Sequence, residues 1–490
     1  MKKLTPLILC ILLTSTVFGQ VFDTVSYFKK YTPAQLYQDL DFLFKKFEVI
    51  HPNYFSETPR DTVIRRYNDL KGRITKPMTR IDFMDLFAPV VYGVIKDGHN
   101  YVNGPDEDLK LYTDKGGKFF PVPVEINHGK LLVYSIKNPY GTEIISINGR
   151  PAKDIVKNIL SSYNPENVDY EERFLSGDFN KLYWFNYGSS EKYHITYIDN
   201  TDKQVKSITR SAINQAEIDK LRGRQQQPKK NYLFRNPNYA FYELPEMSTG
   251  VLDYKACDDL EHFRPFCDSV FSTMNKKHYK NLIIDIRTNE GGTTRLNNIL
   301  YEYLTDKPIA EYTEIDTRIS RDEKKNFIAA NRKYAGWFKW YNYLYYPIYI
   351  RLNEKRKQAL TAKNGTLVKQ MYVPVKPKEN PLRFNGNVYL LTSSATYSSA
   401  AIFVAAFKCY NIGTIIGQET GEPTCFTGDW VGITLPNTKL ECAISNKRFI
   451  LACGKCDGHG VVPDYIIDNS KPINNSTDPE MDFVKELIKK

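Results

Sequence analysis

The sequence predicts an α/β protein preceded by a helical domain and a small β-rich domain. Three observations carry that expectation. From residue 238 onward, apolar runs that read as buried strands ("TGVLDYKA", "NLIIDIR", "NVYLLT", "YNIGTIIG") alternate with helical stretches, the pattern of a largely parallel sheet. Residues 20–112 repeat apolar side chains at helical spacing. Residues 113–210 break into short strand-like segments joined by turns. At 490 residues the chain is too long for one core, and 42% hydrophobic with 25% charged residues is the balance of a folded protein.

The first element is "MKKLTPLILCILLTSTVFGQ". Lys2 and Lys3 precede an apolar stretch from Leu7 to Leu13, and Val17 and Gly19 are small enough for a signal-peptidase site. This predicts a signal peptide over 1–19, cleaved before Gln20, and a periplasmic or secreted product. The stretch is too short to span a bilayer. Cys10 follows the bulky Leu9, which argues against a lipid anchor. The formal charge of +11 is spread along the chain. It favours acidic surfaces or peptides, and an exported chain is a poor candidate for nucleic acid.

In the helical domain, Thr32 and Pro33 read as N-cap and first helical residue. Leu36, Leu40, Leu43, Phe44 and Phe47 recur at helical spacing, and Pro52 ends the helix. A second helix is predicted over Thr62–Arg73. A third runs through "IDFMDLFAPVVYGVI" and stops at "KDGHNYV", with Gly98 as a left-handed cap and His99 just beyond it. In the β-rich domain, "GTEIISINGRPAKDIVKNIL" reads as strand, Asn-Gly turn and helix, and "YHITYID" and "VKSITRS" as two further strands. Residues 211–237 are polar and basic and read as a linker. The α/β domain then covers 238–475, with an aromatic and basic insertion at 315–385 and a closing helix at 476–490. The insertion reads as a helical unit packed on its own domain or as a peptide-contacting arm.

Seven cysteines follow the leader: Cys257, Cys267, Cys409, Cys425, Cys442, Cys453 and Cys456. In an oxidising compartment they predict one to three disulfides and a leftover thiol. The alternative is a four-thiolate zinc site from Cys425, Cys442, Cys453 and Cys456.

Two stretches carry chemistry. In "IIDIRTNEGG" a buried strand runs into two glycines, Gly291 and Gly292, whose N–H groups can face an oxyanion. In "LLTSSATYSSAAIF" a strand ends near Thr392 and a helix starts near Ser398. A serine there lies outside the carboxyl end of a strand and at the positive end of a helix. Either role, N-cap or nucleophile, suits it.

The ordered set "HPNYF", "DGHNYV", "GTEIISINGRP", "LIIDIRTNEGG", "LLTSSATYSSAAIF", "IIGQETGE" and "GHGVVPDYII" resembles the tail-specific, or C-terminal processing, serine peptidases. It is most similar to their histidine-using branch, which includes the tricorn protease core and the interphotoreceptor retinoid-binding protein repeats. The resemblance spans most of residues 32–468. It implies a ClpP/crotonase-like catalytic domain, a PDZ-like small domain and an acyl-transfer peptidase that needs no metal or cofactor.

Carried over by position, Ser398 matches the nucleophile, and the oxyanion donors become the Ser399 N–H and that of Gly291 or Gly292. Ser393 and Ser394 precede the turn and read as loop residues. Many relatives carry a base lysine about 25 residues after the serine, but here the segment reads "GQETGEPTCF". Lys408 points away along the helix. His99, in the Asp-Gly-His element, is therefore the expected base. Glu419 is the first choice of orienting carboxylate, with Asp97 second. His459 is a rival base of lower rank. Gly421 followed by Glu422, and Ile402 in the nucleophile helix, depart from the family pattern.

Together these residues point to an exported serine endopeptidase acting on protein or peptide substrates, which leaves a homo-oligomer open. A non-catalytic protein binding a peptide or apolar ligand on the same scaffold is the alternative.

Overall fold

The computed structural model describes residues 28–133, 142–162, 167–223, 230–325, 328, 357, 360–467 and 478–490. The leader and most of the aromatic insertion lie outside the described residues.

Helices α1 (Pro33–Ile50), α2 (Arg60–Arg73) and α3 (Arg80–Tyr92) form the N-terminal layer. A capping box starts α1: Thr32 accepts from the Gln35 backbone, and the Gln35 side chain accepts in return. Thr79 and Asp82 repeat the device at α3. The α1 residues Leu36, Leu40, Leu43, Phe47 and Ile50 are buried, as the 3.6-residue period requires. The third helix ends at Tyr92 with Gly93 as its cap, three residues before the predicted end. Gly98 is not left-handed. Gly98 and His99 lie in a turn closed by the Asn100 N–H donating to the Asp97 carbonyl at 3.2 Å, not at a helix cap. It leads into β1 (Tyr101–Val102), and α4 (Asp106–Asp114) follows.

The small unit is a sheet in the order β2-β3-β4-β6-β7, with β5 beside β4. Its strands are β2 (Val124–Asn127), β3 (Lys130–Val133), β4 (Glu143–Ile147), β5 (Arg150–Pro151), β6 (Lys192–Ile198) and β7 (Val205–Ser211). Asn148 and Gly149 both have positive φ, at 48° and 76°, which makes the predicted Asn-Gly turn between β4 and β5. Helix α5 (Ala152–Ser161) follows as expected, but the long α6 (Val168–Tyr187) was not foreseen. The predicted linker also contains a helix, α7 (Gln215–Gly223), and buries Ile218 beside Phe119 and Trp184.

The α/β unit holds a seven-stranded sheet in the order β18-β15-β14-β11-β10-β9-β8. These are β8 (Phe234–Arg235), β9 (Tyr239–Leu244), β10 (Thr249–Tyr254), β11 (Asn281–Asp285), β14 (Asn387–Thr392), β15 (Thr414–Gly417) and β18 (Tyr465–Ile466). The five strands from β10 to β18 are parallel. Alternation along each strand loads both faces. Leu252, Ile284, Leu390 and Ile415 join the core with α8 (Leu260–Lys276), α9 (Arg295–Leu304) and α10 (Ser399–Cys409). Val251, Ile283, Leu391 and Ile416 pack with Met481 and Val484 of the closing helix α11 (Pro479–Lys489).

A second sheet, β1-β17-β12-β13 with β16 on β17, links the units. Its hairpin is β16 (Cys425–Thr434) and β17 (Glu441–Leu451). Across the start of the predicted insertion and inside it, β12 (Tyr312–Arg318) and β13 (Leu367–Met371) pair antiparallel. The flanks of that region are therefore sheet, where a helical unit was one expectation. Disulfides join Cys409 to Cys453 and Cys425 to Cys456. Cys257, Cys267 and Cys442 are buried thiols. The four-thiolate alternative fails because Cys425 and Cys456 are bonded to each other while Cys442 sits in the core under α1–α3.

Arg287, at the end of β11, is buried and bonded to Asp285, Asp478 and Glu480. Burial alone would push the Asp285 carboxyl up, but Arg287 reverses this and holds it at about 2. Arg287→Met leaves buried carboxylates unpaired. It should lower stability by about 3–5 kcal/mol at pH 7, measured by urea unfolding. A carboxyl depressed in the folded state stabilises above its unfolded pKa, so the deficit should shrink as pH falls from about 4 towards 2.

Candidate active site

The site forms where the ends of β11 and β14 meet the β16–β17 hairpin. Ser398 sits between β14 and α10 with φ 49° and ψ −124°, a conformation that L residues rarely adopt. Its side chain does not cap the helix. The loop after β11 lies against it. A Cβ on Gly291 would fall 2.7 Å from Ser398 Cβ and 2.9 Å from Ser399 N, so only glycine fits.

The structure brings His99 to this serine from 299 residues away, with Nε2 3.3 Å from Ser398 Oγ. The imidazole lies between Tyr397 and Phe426, with ring centroids 5.2 and 5.5 Å away and planes within 23°. Tyr170, from the first turn of α6, stacks on the far side of Tyr397 at 4.1 Å. The His99 side chain is 15% exposed. Burial holds its pKa below the usual value near 6.5, against the opposing pull of Asp97 and Asp429. His99 is therefore neutral at pH 7 and able to accept a proton. Its Nδ1 is buried without a formed hydrogen bond among the described residues.

Neither expected carboxylate sits on that Nδ1. Glu419 accepts from Gly460 N at 2.7 Å and lies 3.3 Å from His459 Nδ1. It is turned to the "DGHG" loop, so the expectation that it orients His99 is corrected. His459 is 70% exposed and paired there, outside the site. Asp97, the second choice, acts on the backbone: its Oδ1 accepts the His99 N–H at 2.9 Å. It is completely buried and also accepts from His51 Nε2 at 2.8 Å, Asn100 Nδ2 at 2.7 Å, Ser445 Oγ at 3.2 Å and Thr427 Oγ1. Burial pushes its carboxyl up, but His51 and the other donors keep it below the ordinary value. Because His51 Nδ1 accepts from Asn53 N at 3.3 Å, the His51 ring donates through Nε2 as the neutral tautomer.

The expected oxyanion donors separate. The Gly291 N–H is taken by Asn289 Oδ1 at 2.9 Å, which corrects that choice. The Gly292 and Ser399 N–H groups have no acceptor among the described residues. Ser393 is a loop residue, donating to the Arg287 carbonyl at 2.5 Å. Lys408 reaches Asp464 at 3.3 Å, away from Ser398.

Sequence reasoning missed the contacts of Glu422. This carboxylate has no solvent exposure, accepts the Ser398 N–H through Oε2 at 3.0 Å, and places that oxygen 3.8 Å from His99 Nε2. Gly421 delivers it, donating to the Thr396 carbonyl at 3.1 Å where a Cβ would strike the Ser394 carbonyl at 2.0 Å. The signal was the Gly-Glu departure itself.

The family model for peptidase family S41 matches residues 248–467, from β10 to the end of the parallel sheet. Over residues 248–467 the chain is thus similar to peptidase family S41. It is accordingly a serine-type peptidase, a hydrolase. No curated protein matches the chain. Among solved structures it is similar to a mutant CPAF, with 14% identity, TM-score 0.61, and 94% of this chain and 96% of the other covered. It is also similar to mature CPAF complexed with lactacystin, with 13% identity, TM-score 0.56, and 93% and 97% covered. At these identities the likeness concerns the fold.

The backbone at Ser398 generates a test. Ser398→Gly relieves the positive φ, which costs about 1–3 kcal/mol in a non-glycine residue, while glycine gives back about 0.4–1 kcal/mol in unfolded-state entropy. Ser398→Gly should therefore be more stable than Ser398→Ala by about 1 kcal/mol in paired denaturation curves.

Proposed function

We propose that the chain is an exported serine endopeptidase using Ser398 as nucleophile and His99 as base. The observation that carries this reading is the 3.3 Å approach of His99 Nε2 to Ser398 Oγ beside two unpartnered N–H groups. His99 takes the Ser398 proton as Oγ attacks a peptide carbonyl. The Gly292 and Ser399 N–H groups receive the oxyanion. His99 then protonates the leaving amine, and water, activated by the same imidazole, releases the acyl group. Substrates are proteins or peptides, as the family implies. The leader pattern and the two disulfides support export to the periplasm or beyond. Among the described residues no helix is long and apolar enough to cross a membrane.

A fluorophosphonate probe should add its mass to the wild type and not to Ser398→Ala; equal labelling of both would remove Ser398 from the role. Because burial depresses the His99 pKa, the acid limb of kcat/KM should fall below pH 6.5, with activity lost as the pH drops through it and His99 protonates. A pH–rate profile on an unfolded protein substrate checks this, and a limb above pH 7 would contradict it.

A further inference from the structure

We infer that Glu422 is the catalytic carboxylate of this site and that it acts on the Nε2 edge of His99, not on Nδ1. The inference rests on the proposed Ser398–His99 chemistry. Glu422 Oε2 receives the Ser398 N–H at 3.0 Å, and the same oxygen lies 3.8 Å from His99 Nε2. That nitrogen is the atom that becomes positive when the serine proton arrives.

The surroundings of His99 leave this function open. Its two faces are covered by Tyr397 and Phe426, with Tyr170 behind Tyr397. Asp97 is committed to the His99 backbone and to four side chains. Asp429 acts on the ring through space and is itself paired with Lys447. No carboxylate bonds Nδ1 among the described residues. The aromatic faces orient the ring, and Glu422 supplies the counter-charge beside the reacting nitrogen.

The step balances without moving a proton to Glu422. The Ser398 O–H proton passes to His99 Nε2, the Oγ–C bond forms, and the carbonyl π electrons move to oxygen. The imidazolium, held beside the Glu422 carboxylate, then gives its proton to the amine nitrogen as the C–N bond breaks. Through the same oxygen, Glu422 fixes the strained Ser398 backbone. One carboxylate thus links nucleophile and base.

Glu422→Gln separates charge from shape, because the amide oxygen can still accept the Ser398 N–H. The His99 titration, followed by NMR of the full chain with labelled histidine, should move down by about one pH unit or more in this variant. In Glu422→Asp, which keeps the charge, the midpoint should stay closer to wild type than in Glu422→Gln. On a peptide substrate, kcat should fall about 10²-fold in Glu422→Gln with KM little changed, as for loss of one preorganised electrostatic partner. An unmoved His99 midpoint in Glu422→Gln overturns the inference, even if kcat falls, since a structural role alone would do that. A shifted midpoint in a chain that cleaves no peptide and takes no probe upholds the pairing and instead removes the peptidase reading.

Discussion

The buried carboxylate of Asp97 is the constraint on which the site depends. It collects donors from the helical layer (His51, Asn100 and the His99 backbone) and from the hairpin (Thr427 and Ser445). An uncompensated charge at that depth would cost several kcal/mol, so all five donors must be in place together. That requirement docks the corner after α3 on β16 and β17. Asn100 reinforces it by accepting the Ser445 N–H at 2.8 Å, and β1 continues it as sheet pairing. His99 is carried to Ser398 by this knot. Asp97 thus positions the imidazole through the backbone while the aromatic faces of Tyr397 and Phe426 set the ring plane.

The serine side is built by close approach. Ser398 holds a strained conformation that the surrounding backbone over-determines. Gly291 on one side and Gly421 on the other leave no room for a side chain. The Cys409–Cys453 and Cys425–Cys456 disulfides tie the end of α10 and the start of the hairpin to a single loop. Glu422 stands three residues before Cys425, so the same staples that hold the hairpin hold its carboxylate. Tyr170 brings the small unit into contact with this assembly by stacking on Tyr397.

Much of the fold was legible because local signals agreed with the tertiary outcome. The Thr32 N-cap, the Asn148-Gly149 turn and the apolar runs of β10, β11 and β14 each carry their own physical cause. Helix α6 was missed because its polar N-terminal turns bury Glu171 and Glu172 against other elements, which no periodic apolar signal announces. Glu419 was misread because nearness in sequence to the right loop does not say which way a carboxylate turns. Glu419 Oε1 accepts the Gly460 N–H, whereas Glu422, three residues on, accepts the Ser398 N–H.

The sequence by itself determined the layered α/β class, the switch from helical to strand periodicity, the serine at a strand-to-helix corner, and the absence of a lysine where relatives carry one. These are properties of residue order, because period, turn chemistry and motif spacing act over a few residues. Only the tertiary structure decided which N–H groups remain open to an oxyanion, which cysteines pair, and which carboxylate meets His99. Each of those depends on groups between about 20 and 300 residues apart meeting within hydrogen-bond or ion-pair range.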